Sequence, residues 1–333
     1  MNAPLVPPPG IASCPVPRRV LMGPGPSDMP PRVVAALGHP AIGHLDPDFV
    51  RMMEEIKLLL RYAFQTNNAL TFAVSGPGSV GMETCFVNLV EPGDKVIVCR
   101  NGVFGGRMIE NVQRFGGTAV IVEDAWGEPV DPQKVAEALA AHPDARAVAF
   151  VHAETSTGAQ SDAATLIGLA RAKGALAIVD TVTSLGGTPV LADAWGADAI
   201  YSGSQKCLSC VPGLAPVTFS ARAVERVKAR KGKVPSWFMD LGLVLVDPDS
   251  NIGAPALDRG NDEIAQIDAG LGFVHIRACR CLVCLRDHRD RRRGLGGLHA
   301  HAAHARLERG DARRGYMLRR EKEAAVAEDE QVF

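Results

Sequence analysis

The chain has 333 residues, of which 47% are hydrophobic and 22% are charged, and its formal net charge is −1 at pH 7. This length allows one large domain and a smaller one with a sizeable core. So small a net charge gives no electrostatic argument for binding to nucleic acid or to an anionic membrane. No apolar run approaches the roughly 20 residues that span a bilayer. We therefore expect a cytoplasmic protein of small-molecule chemistry, with no nucleic-acid or membrane partner and with its eight cysteines reduced.

Residues 1–20 are rich in proline and predict an irregular N-terminal arm. The first strong helix signal starts at Asp46, an N-cap residue followed by Pro47 at the first helical position. Apolar residues then recur at helical spacing as far as Ala63, which predicts a helix that lies on a sheet. A second helix start of the same kind is Asp131 before Pro132.

Short apolar runs alternate with helical patterns through the middle of the chain. Because these runs lack polar alternation, they indicate strands buried on both faces, as in a mostly parallel sheet covered by helices. The fold class is therefore α/β, and ligands should bind beyond the carboxyl ends of the strands. The predicted strands are residues 70–74, 95–99, 119–122, 147–151, 175–179, 199–201 and 215–219.

A glycine-rich loop with Gly76, Gly78 and Gly81 follows the first predicted strand and opens a helix. Free N–H groups and the helix dipole at such a turn favour an anion, which predicts a phosphate site. Two other interpretations stay open: a tight turn without a ligand, and a dinucleotide-binding site. The latter is typical of an oxidoreductase, in which Arg100 would meet a 2′-phosphate.

Asp180 and Lys206 are found at the ends of buried strands, and neither residue has a role in hydride transfer. Asp180 ends an apolar strand, where a carboxylate needs a cation or a strong donor such as a protonated pyridine nitrogen. A turn-forming or helix-capping Asp is the alternative interpretation of this residue. Lys206 follows a run of small residues at another strand end. A partly desolvated amine there is suited to form a Schiff base with an aromatic aldehyde.

Several ordered motifs between residues 20 and 245 together resemble the class V pyridoxal 5′-phosphate (PLP) aminotransferases, of the alanine-glyoxylate and serine-glyoxylate type. The resemblance implies PLP as cofactor and the large domain of the fold type I PLP-dependent transferases, here residues 21–245. The motifs are Gly23 to Pro26, Ser75 to Ser79, Glu91 to Asp94, His152 to Gly158, Asp180 to Pro189 and Ser202 to Lys206.

The resemblance also implies roles for individual residues. Lys206 would bind the cofactor covalently and later move the substrate's α-proton, while Asp180 would pair with the ring nitrogen. The remaining expected contacts are Phe104 and Val182 on the two ring faces, Gly78, Ser79 and Gln205 at the phosphate, Thr155 near the ring oxygen, and Gly25 and His44 at the substrate mouth. Phe104 stands where the family often has Trp, and Pro77 stands where it commonly has Ser or Thr. These departures keep a stacking surface and remove one hydroxyl contact to phosphate.

The implied activity is transamination between alanine or serine and glyoxylate or pyruvate, in a homodimer. The oxidoreductase based on Gly76, Gly78 and Gly81 and a catalytically inactive family member remain as alternatives, and a class V lyase or desulfurase lacks a suitably placed cysteine. Cys207 and Cys210 form a C-x-x-C pattern whose place beside Lys206 we attribute to coincidence.

Residues 246–333 depart from the family and shift in composition toward Arg, His, Ala and Gly. They lack a Tyr/His/Thr segment for the partner's phosphate and an arginine for the substrate carboxylate. Three explanations stay open: a truncated or frameshifted C-terminal region, a disordered or partly helical polar tail over residues 285–333, and a zinc site. The last would use Cys279, Cys281, Cys284 and His288, whose spacing is not a standard zinc pattern, so we assign no metal.

Overall fold

The computed structural model describes residues 17–245. These residues form a seven-stranded sheet of order β1-β7-β6-β5-β4-β2-β3. Strand β7 runs antiparallel to its neighbours β1 and β6, and all the other pairings are parallel. The strands are β1 Leu70–Ser75, β2 Lys95–Arg100, β3 Thr118–Glu123, β4 Ala147–Val151, β5 Leu176–Asp180, β6 Ala199–Tyr201 and β7 Leu214–Phe219. The predicted mostly parallel sheet is confirmed.

Helices connect the strands and cover both faces of the sheet. Their bounds are α1 Pro31–Ala36, α2 Pro47–Phe64, α3 Gly78–Leu89, α4 Val103–Arg114, α5 Pro132–Ala141, α6 Ala163–Ala172, α7 Ala192–Trp195, α8 Ala221–Lys228 and α9 Leu241–Val244. Within residues 17–245, no helix is both long enough and apolar enough to cross a membrane.

Both helix starts that the sequence predicts are confirmed. The Asp46 side chain accepts a hydrogen bond from Asp48 N at 2.8 Å, and the Asp131 side chain accepts one from Gln133 N at 2.8 Å. Each aspartate satisfies a backbone N–H that the first turn of its helix leaves free, which contributes about 0.5–2 kcal/mol. Helix α2 then continues to Phe64, where Gln65 adopts a left-handed conformation with φ 53°.

The core is divided between the two faces of the sheet. Side chains of α2, α5 and α6 form one buried cluster, and side chains of α3, α4 and α8 form the other. Strand β2 shows why, since Ile97 belongs to the first cluster while Val96 and Val98 belong to the second. This two-residue period is that of a strand buried on both faces. The domain therefore has three layers, with the sheet in the middle.

The prediction that every strand is buried on both faces is wrong for β3. This strand lies at the edge of the sheet, and 45% of the Ile121 side chain is exposed. The predicted boundaries also differ slightly from the observed ones. Strand β5 includes Asp180 as its last residue, whereas the prediction ended at Val179. The boundaries predicted at Val246 and the alternatives for residues 246–333, including the zinc site, lie outside the described residues, as does most of the arm at 1–20.

Candidate active site

The predicted site residues converge on one edge of the sheet. Strands β1, β2, β4, β5 and β6 point their carboxyl ends to this edge, because they are all parallel to one another. The antiparallel strand β7 begins here, and its Leu214 pairs with Ser75 at the end of β1. The structure thus brings the loops that carry Gly78, Phe104, Thr155, Asp180 and Lys206 to the expected end of the sheet.

Asp180 is buried at the end of β5, with 2% of its surface exposed. Its Oδ1 accepts a hydrogen bond from Val182 N at 2.8 Å, so the alternative role of a turn-forming aspartate is also fulfilled. The pKa of the Asp180 carboxyl is raised to about 7, mainly by burial and to a smaller extent by the charge of Glu154. The Val182 N–H, the neighbouring Tyr201 and the Lys206 ammonium lower this pKa. A cation against this carboxylate would relieve the desolvation.

Tyr201 ends β6 directly beside Asp180, to which it is paired in the sheet. Its side chain is fully buried, and its hydroxyl lies close enough to the Asp180 carboxyl to lower the pKa of that group. Burial, followed by the charge of Asp180, raises the pKa of this phenol. Cys85 on α3 is likewise buried near Asp180, and desolvation raises the pKa of its thiol. Buried side chains therefore surround the Asp180 carboxyl on this side, and the pKa of this carboxyl lies at about 7.

Lys206 lies in the loop between β6 and β7 and is half-buried. Its Nζ is 3.5 Å from the carbonyl oxygen of Gly25. A Cβ at Gly25 would overlap Lys206 Cδ and lie 3.1 Å from Nζ, so the glycine leaves room for the amine. The two loops are joined by the hydrogen bond from Ser27 N to Gln205 O at 2.8 Å. Gly25 therefore lies beside Lys206, while its place at the substrate mouth stays a prediction.

The glycine-rich loop lies next to the lysine loop. A Cβ at Gly78 would lie 3.0 Å from Val182 Cγ2, and one at Gly203 would lie 2.9 Å from Gln205 Oε1 and 3.6 Å from Gly78 Cα. Three loops thus approach closely only because side chains are missing at two points. Gln205 Oε1 is buried without a hydrogen-bond partner in the described part of the chain. The residues predicted at the phosphate and on one ring face form one cluster.

The amino end of α3 opens into this cluster. Pro77 is the N-cap residue, and no side chain caps the helix, so backbone N–H groups of the first turn are left for a ligand. Ser79 is half-buried in that turn. A helix end of this kind favours a phosphate by about 0.3–2 kcal/mol. The loop fits an anion even though Pro77 provides no hydroxyl.

Phe104 and Thr155 come from the next two loops. Phe104 is half-buried in the first turn of α4, and the guanidinium carbon of Arg107 lies 4.8 Å from its ring centroid. Thr155 follows β4, and its hydroxyl donates to Thr183 Oγ1 at 3.2 Å, beside the Asp180 loop. Both side chains are thus on the predicted edge of the sheet, while their roles toward a cofactor stay predictions.

Glu154 is a site residue that sequence reasoning missed. It is 1% exposed, accepts hydrogen bonds from the Phe104 and Ser156 N–H groups, and raises the pKa of Asp180 by its charge. The motif from His152 to Gly158 contained the only available signal, a glutamate three residues after the end of a buried strand. Its partner Phe104 lies 50 residues earlier in the chain, a contact that spacing could not indicate.

Three other candidates are less central. His44 is half-buried in the turn before α2, and its place at the substrate mouth stays a prediction. Arg100 makes an ion pair with Glu123, its Nε 2.6 Å from Oε2, at the β2–β3 edge. Cys207 is exposed and donates to Thr183 O at 3.2 Å, whereas Cys210 is buried.

The described residues fit pyridoxal 5′-phosphate. A buried acid is available for a pyridinium nitrogen, a half-buried lysine for the aldehyde, and an uncapped helix end for the phosphate. Gln205 Oε1, which is buried without a hydrogen-bond partner among the described residues, lies in the same region, where a bound group would provide new contacts. A dinucleotide fits less well, because the glycine loop follows the edge strand β1 and Arg100 is engaged with Glu123.

Known proteins agree with this interpretation. The model of the aminotransferase class-V family matches residues 20–232. The chain is 42% identical to the alanine–glyoxylate aminotransferase of Oryctolagus cuniculus over 228 residues, which are 68% of this chain and 58% of that protein. The rat enzyme, from Rattus norvegicus, is 41% identical over 71% of this chain and 58% of its own length. The chain thus spans less than two thirds of these relatives.

Two solved structures have the same fold. The alanine–glyoxylate aminotransferase of Nostoc sp. superposes with a TM-score of 0.72 at 40% identity, covering 83% of this chain and 69% of that one. The ureidoglycine-glyoxylate aminotransferase of Bacillus subtilis gives a TM-score of 0.72 at 30% identity, covering 86% and 68%. With its site geometry and these similarities, the chain belongs to the class V aminotransferases, a family that depends on pyridoxal 5′-phosphate.

Proposed function

We propose that this protein transfers an amino group from a small amino acid to a small 2-oxo acid. The observation that carries the proposal is the meeting of Lys206, Asp180 and the Gly78–Val182–Gln205 cluster at one sheet edge. An amine, an acid and a phosphate cradle in this relation suit a PLP enzyme and serve no purpose in hydride transfer.

Different residues of the site would carry out the separate steps of binding and proton transfer. Bound PLP supplies a conjugated, protonated ring that accepts the electron pair released when the substrate's α-proton leaves. Asp180 would hold the proton on the ring nitrogen, and Lys206 Nζ would take the α-proton from the substrate and deliver it to the cofactor. Val182 and Phe104 would keep the ring between them, with Thr155 at the ring oxygen. Gly78, Ser79 and Gln205 would hold the phosphate.

Glyoxylate is the acceptor best supported by the relatives. The rabbit, rat and Nostoc proteins are named alanine–glyoxylate aminotransferases, and the Bacillus subtilis protein is named a ureidoglycine-glyoxylate aminotransferase. We therefore propose alanine as donor and glyoxylate as acceptor, with serine and pyruvate as further candidates. Gly25, which lies against Lys206 Nζ, and His44 would line the entrance for these substrates.

An absorption experiment tests the proposal. Purified protein with added PLP should gain a visible band that falls when alanine is added and returns when glyoxylate follows. Lys206→Ala should abolish this cycle, whereas Lys173→Ala, an exposed lysine at the end of α6, should leave it unchanged. If PLP gives the band but no amino donor alters it, the protein is the inactive family member instead. An absence of any band refutes PLP binding.

We also propose that the protein acts as a homodimer. Large apolar side chains are exposed on the described part of the chain, among them Met22 at 89%, Val20 at 80% and Trp237 at 59%. Where such side chains form a contiguous patch, they suit a surface that another chain covers. Sedimentation velocity would show a dimer of about twice the 35.3 kDa chain mass or, against the proposal, a monomer. The cytoplasmic location stays a prediction of the sequence.

A further inference from the structure

Glu154 is a buried carboxylate that the chemistry above does not use. Only 1% of its surface is exposed, and no ion pair involves it within residues 17–245. A buried charge without a cation is costly unless strong hydrogen-bond donors surround it. Its position therefore needs a physical reason.

The donors around Glu154 come from two loops. Oε1 accepts from Ser156 N at 3.1 Å and from Ser156 Oγ at 2.7 Å, while Oε2 accepts from Phe104 N at 3.2 Å. Ser156 Oγ in turn accepts from Val103 N at 3.0 Å. The first two residues of α4 thus donate their N–H groups to one connected pair of side chains from the loop after β4.

Glu154 and Ser156 together act as the N-terminal cap of α4. The N-cap residue Gly102 makes no side-chain hydrogen bond of its own. A Cβ at Gly102 would lie 2.5 Å from Glu154 Cδ and 2.6 Å from Ser156 Oγ, so the backbone and the carboxylate approach closely only at a glycine. A carboxylate at the positive end of a twelve-residue helix is also favoured by the helix dipole.

The helix turn that Glu154 holds is the turn that carries Phe104. One face of the Phe104 ring is contacted by Arg107, so the backbone clamp and this cation together limit where the ring lies. Glu154 is also close enough to Asp180 for its charge to raise the pKa of that carboxyl. The clamp therefore lies at the cofactor end of the sheet and not at a remote helix.

We propose that Glu154 is a positioning residue, whose carboxylate clamps the first turn of α4 and thereby places the Phe104 ring against the cofactor. This inference rests on the proposed function, because it assigns Phe104 to the ring face of PLP. The effect is indirect: Glu154 touches the backbone of Phe104 and acts on the cofactor through it.

The test is the affinity for PLP, measured by absorption titration of cofactor-free protein. Glu154→Gln turns an amide NH₂ toward one of the N–H donors that the carboxylate now accepts. We expect the PLP dissociation constant to rise about tenfold, in line with the loss of one charge-assisted hydrogen bond. The circular dichroism of the bound cofactor should change as well, since that signal depends on the placement of neighbouring aromatic rings.

A double-mutant cycle separates positioning from general damage. Phe104→Leu alone should weaken PLP binding, and Glu154→Gln added to it should weaken binding less than twofold further, because both act through the same ring. Equal tenfold losses in both backgrounds would overturn the proposal, and so would wild-type affinity in either single variant. Should Glu154→Gln fail to fold, Ser156→Ala, which frees Val103 N, serves in its place with the same expected non-additivity.

A matched control is Asp162→Asn. Asp162 caps α6 on the same sheet and, like Glu154, accepts from backbone N–H and hydroxyl donors, here those of Thr165 at 3.2 and 2.7 Å. It should lower thermal stability and leave the PLP dissociation constant unchanged. If wild-type protein binds no PLP, the proposed function itself fails; if wild type binds it and Glu154→Gln binds equally well, only the role of Glu154 fails.

Discussion

Burial raises the pKa of Asp180 to about 7, from the ordinary value of 3.8 for an aspartate. In cofactor-free protein the folded state therefore favours the protonated acid more than the unfolded chain does. The stabilisation that this group contributes is full below pH 4 or so and is lost as the pH rises through about 7. Ionisation of the buried Asp180 carboxyl thus costs free energy as the pH approaches and passes 7, and a bound pyridinium would offset this cost.

We predict that Asp180→Asn stabilises the cofactor-free protein more at pH 8 than at pH 5. The amide carries no charge to desolvate and its oxygen can still accept from Val182 N. Urea denaturation at the two pH values measures the difference in the free energy of unfolding. If Asp180→Asn raised the free energy of unfolding equally at both pH values, or lowered it more at the higher pH, Asp180 would be ionised in the folded protein without a desolvation cost.

Gly25 offers a second test at the scale of one residue. Its φ is +129°, and a Cβ would overlap Lys206 Cδ, so Gly25→Ala should displace the lysine side chain. We predict a several-fold slower reaction of PLP with the protein, followed as growth of the visible band. Gly23→Ala is the control, because a Cβ there meets nothing within 4 Å. The account of the lysine pocket fails if the two variants react at the same rate.

Single helices and strands were largely predictable from the sequence where the signals were local. Asp46 and Asp131 each cap a helix as expected, and the apolar runs become strands within a residue or two of their predicted ends. The reversed direction of β7 had no local signal, since a buried antiparallel strand has the same apolar run as a parallel one. The contact between Glu154 and Phe104 had no local sequence signal either, because it joins segments that are 50 residues apart.

Helix α4 provides a prediction about packing. A Cβ at Gly105 would lie 2.7 Å from Cys99 O and 2.9 Å from Arg100 Cα, so α4 approaches β2 more closely than an alanine permits. Gly105→Ala should lower the free energy of unfolding by about 1–3 kcal/mol, the usual cost of overpacking. Thermal and urea denaturation would measure this change.

The neighbouring Gly106 is the matched control. It belongs to the same helix, and a Cβ there meets nothing within 4 Å. Gly106→Ala should stabilise the protein by about 0.5–1 kcal/mol, because alanine loses less conformational entropy in a helix. Opposite signs for the two adjacent glycines are expected; equal effects would mean that α4 does not rest on β2 as described.

At the scale of the whole molecule, the sheet gathers at one edge the residues that the sequence spreads from 25 to 206. The α/β fold was predictable because the ordered motifs and the alternation of apolar runs with helical patterns both indicated it. The chain nevertheless spans 58% of the rabbit relative, and the substrate-carboxylate site that the family resemblance implies has no counterpart among the predicted residues. Rates measured with alanine, serine, glyoxylate and pyruvate would identify the preferred substrates.

The exposed apolar side chains lead to a prediction about assembly. Met22, at 89% exposure, precedes the Gly25 loop that contacts Lys206. If a second copy covers it, Met22→Lys should shift the sedimentation equilibrium toward monomer, while Gln113→Lys, a change at an exposed polar position on α4, should not. Identical behaviour of both variants and wild type would remove Met22 from the interface.

The most direct test of the central claim is the identity of the amine that holds PLP. Protein incubated with PLP, reduced with borohydride and digested should yield one peptide with a phosphopyridoxyl group, and that group should be on Lys206. A label on another lysine, or no label under conditions that modify a known PLP enzyme, would contradict the account.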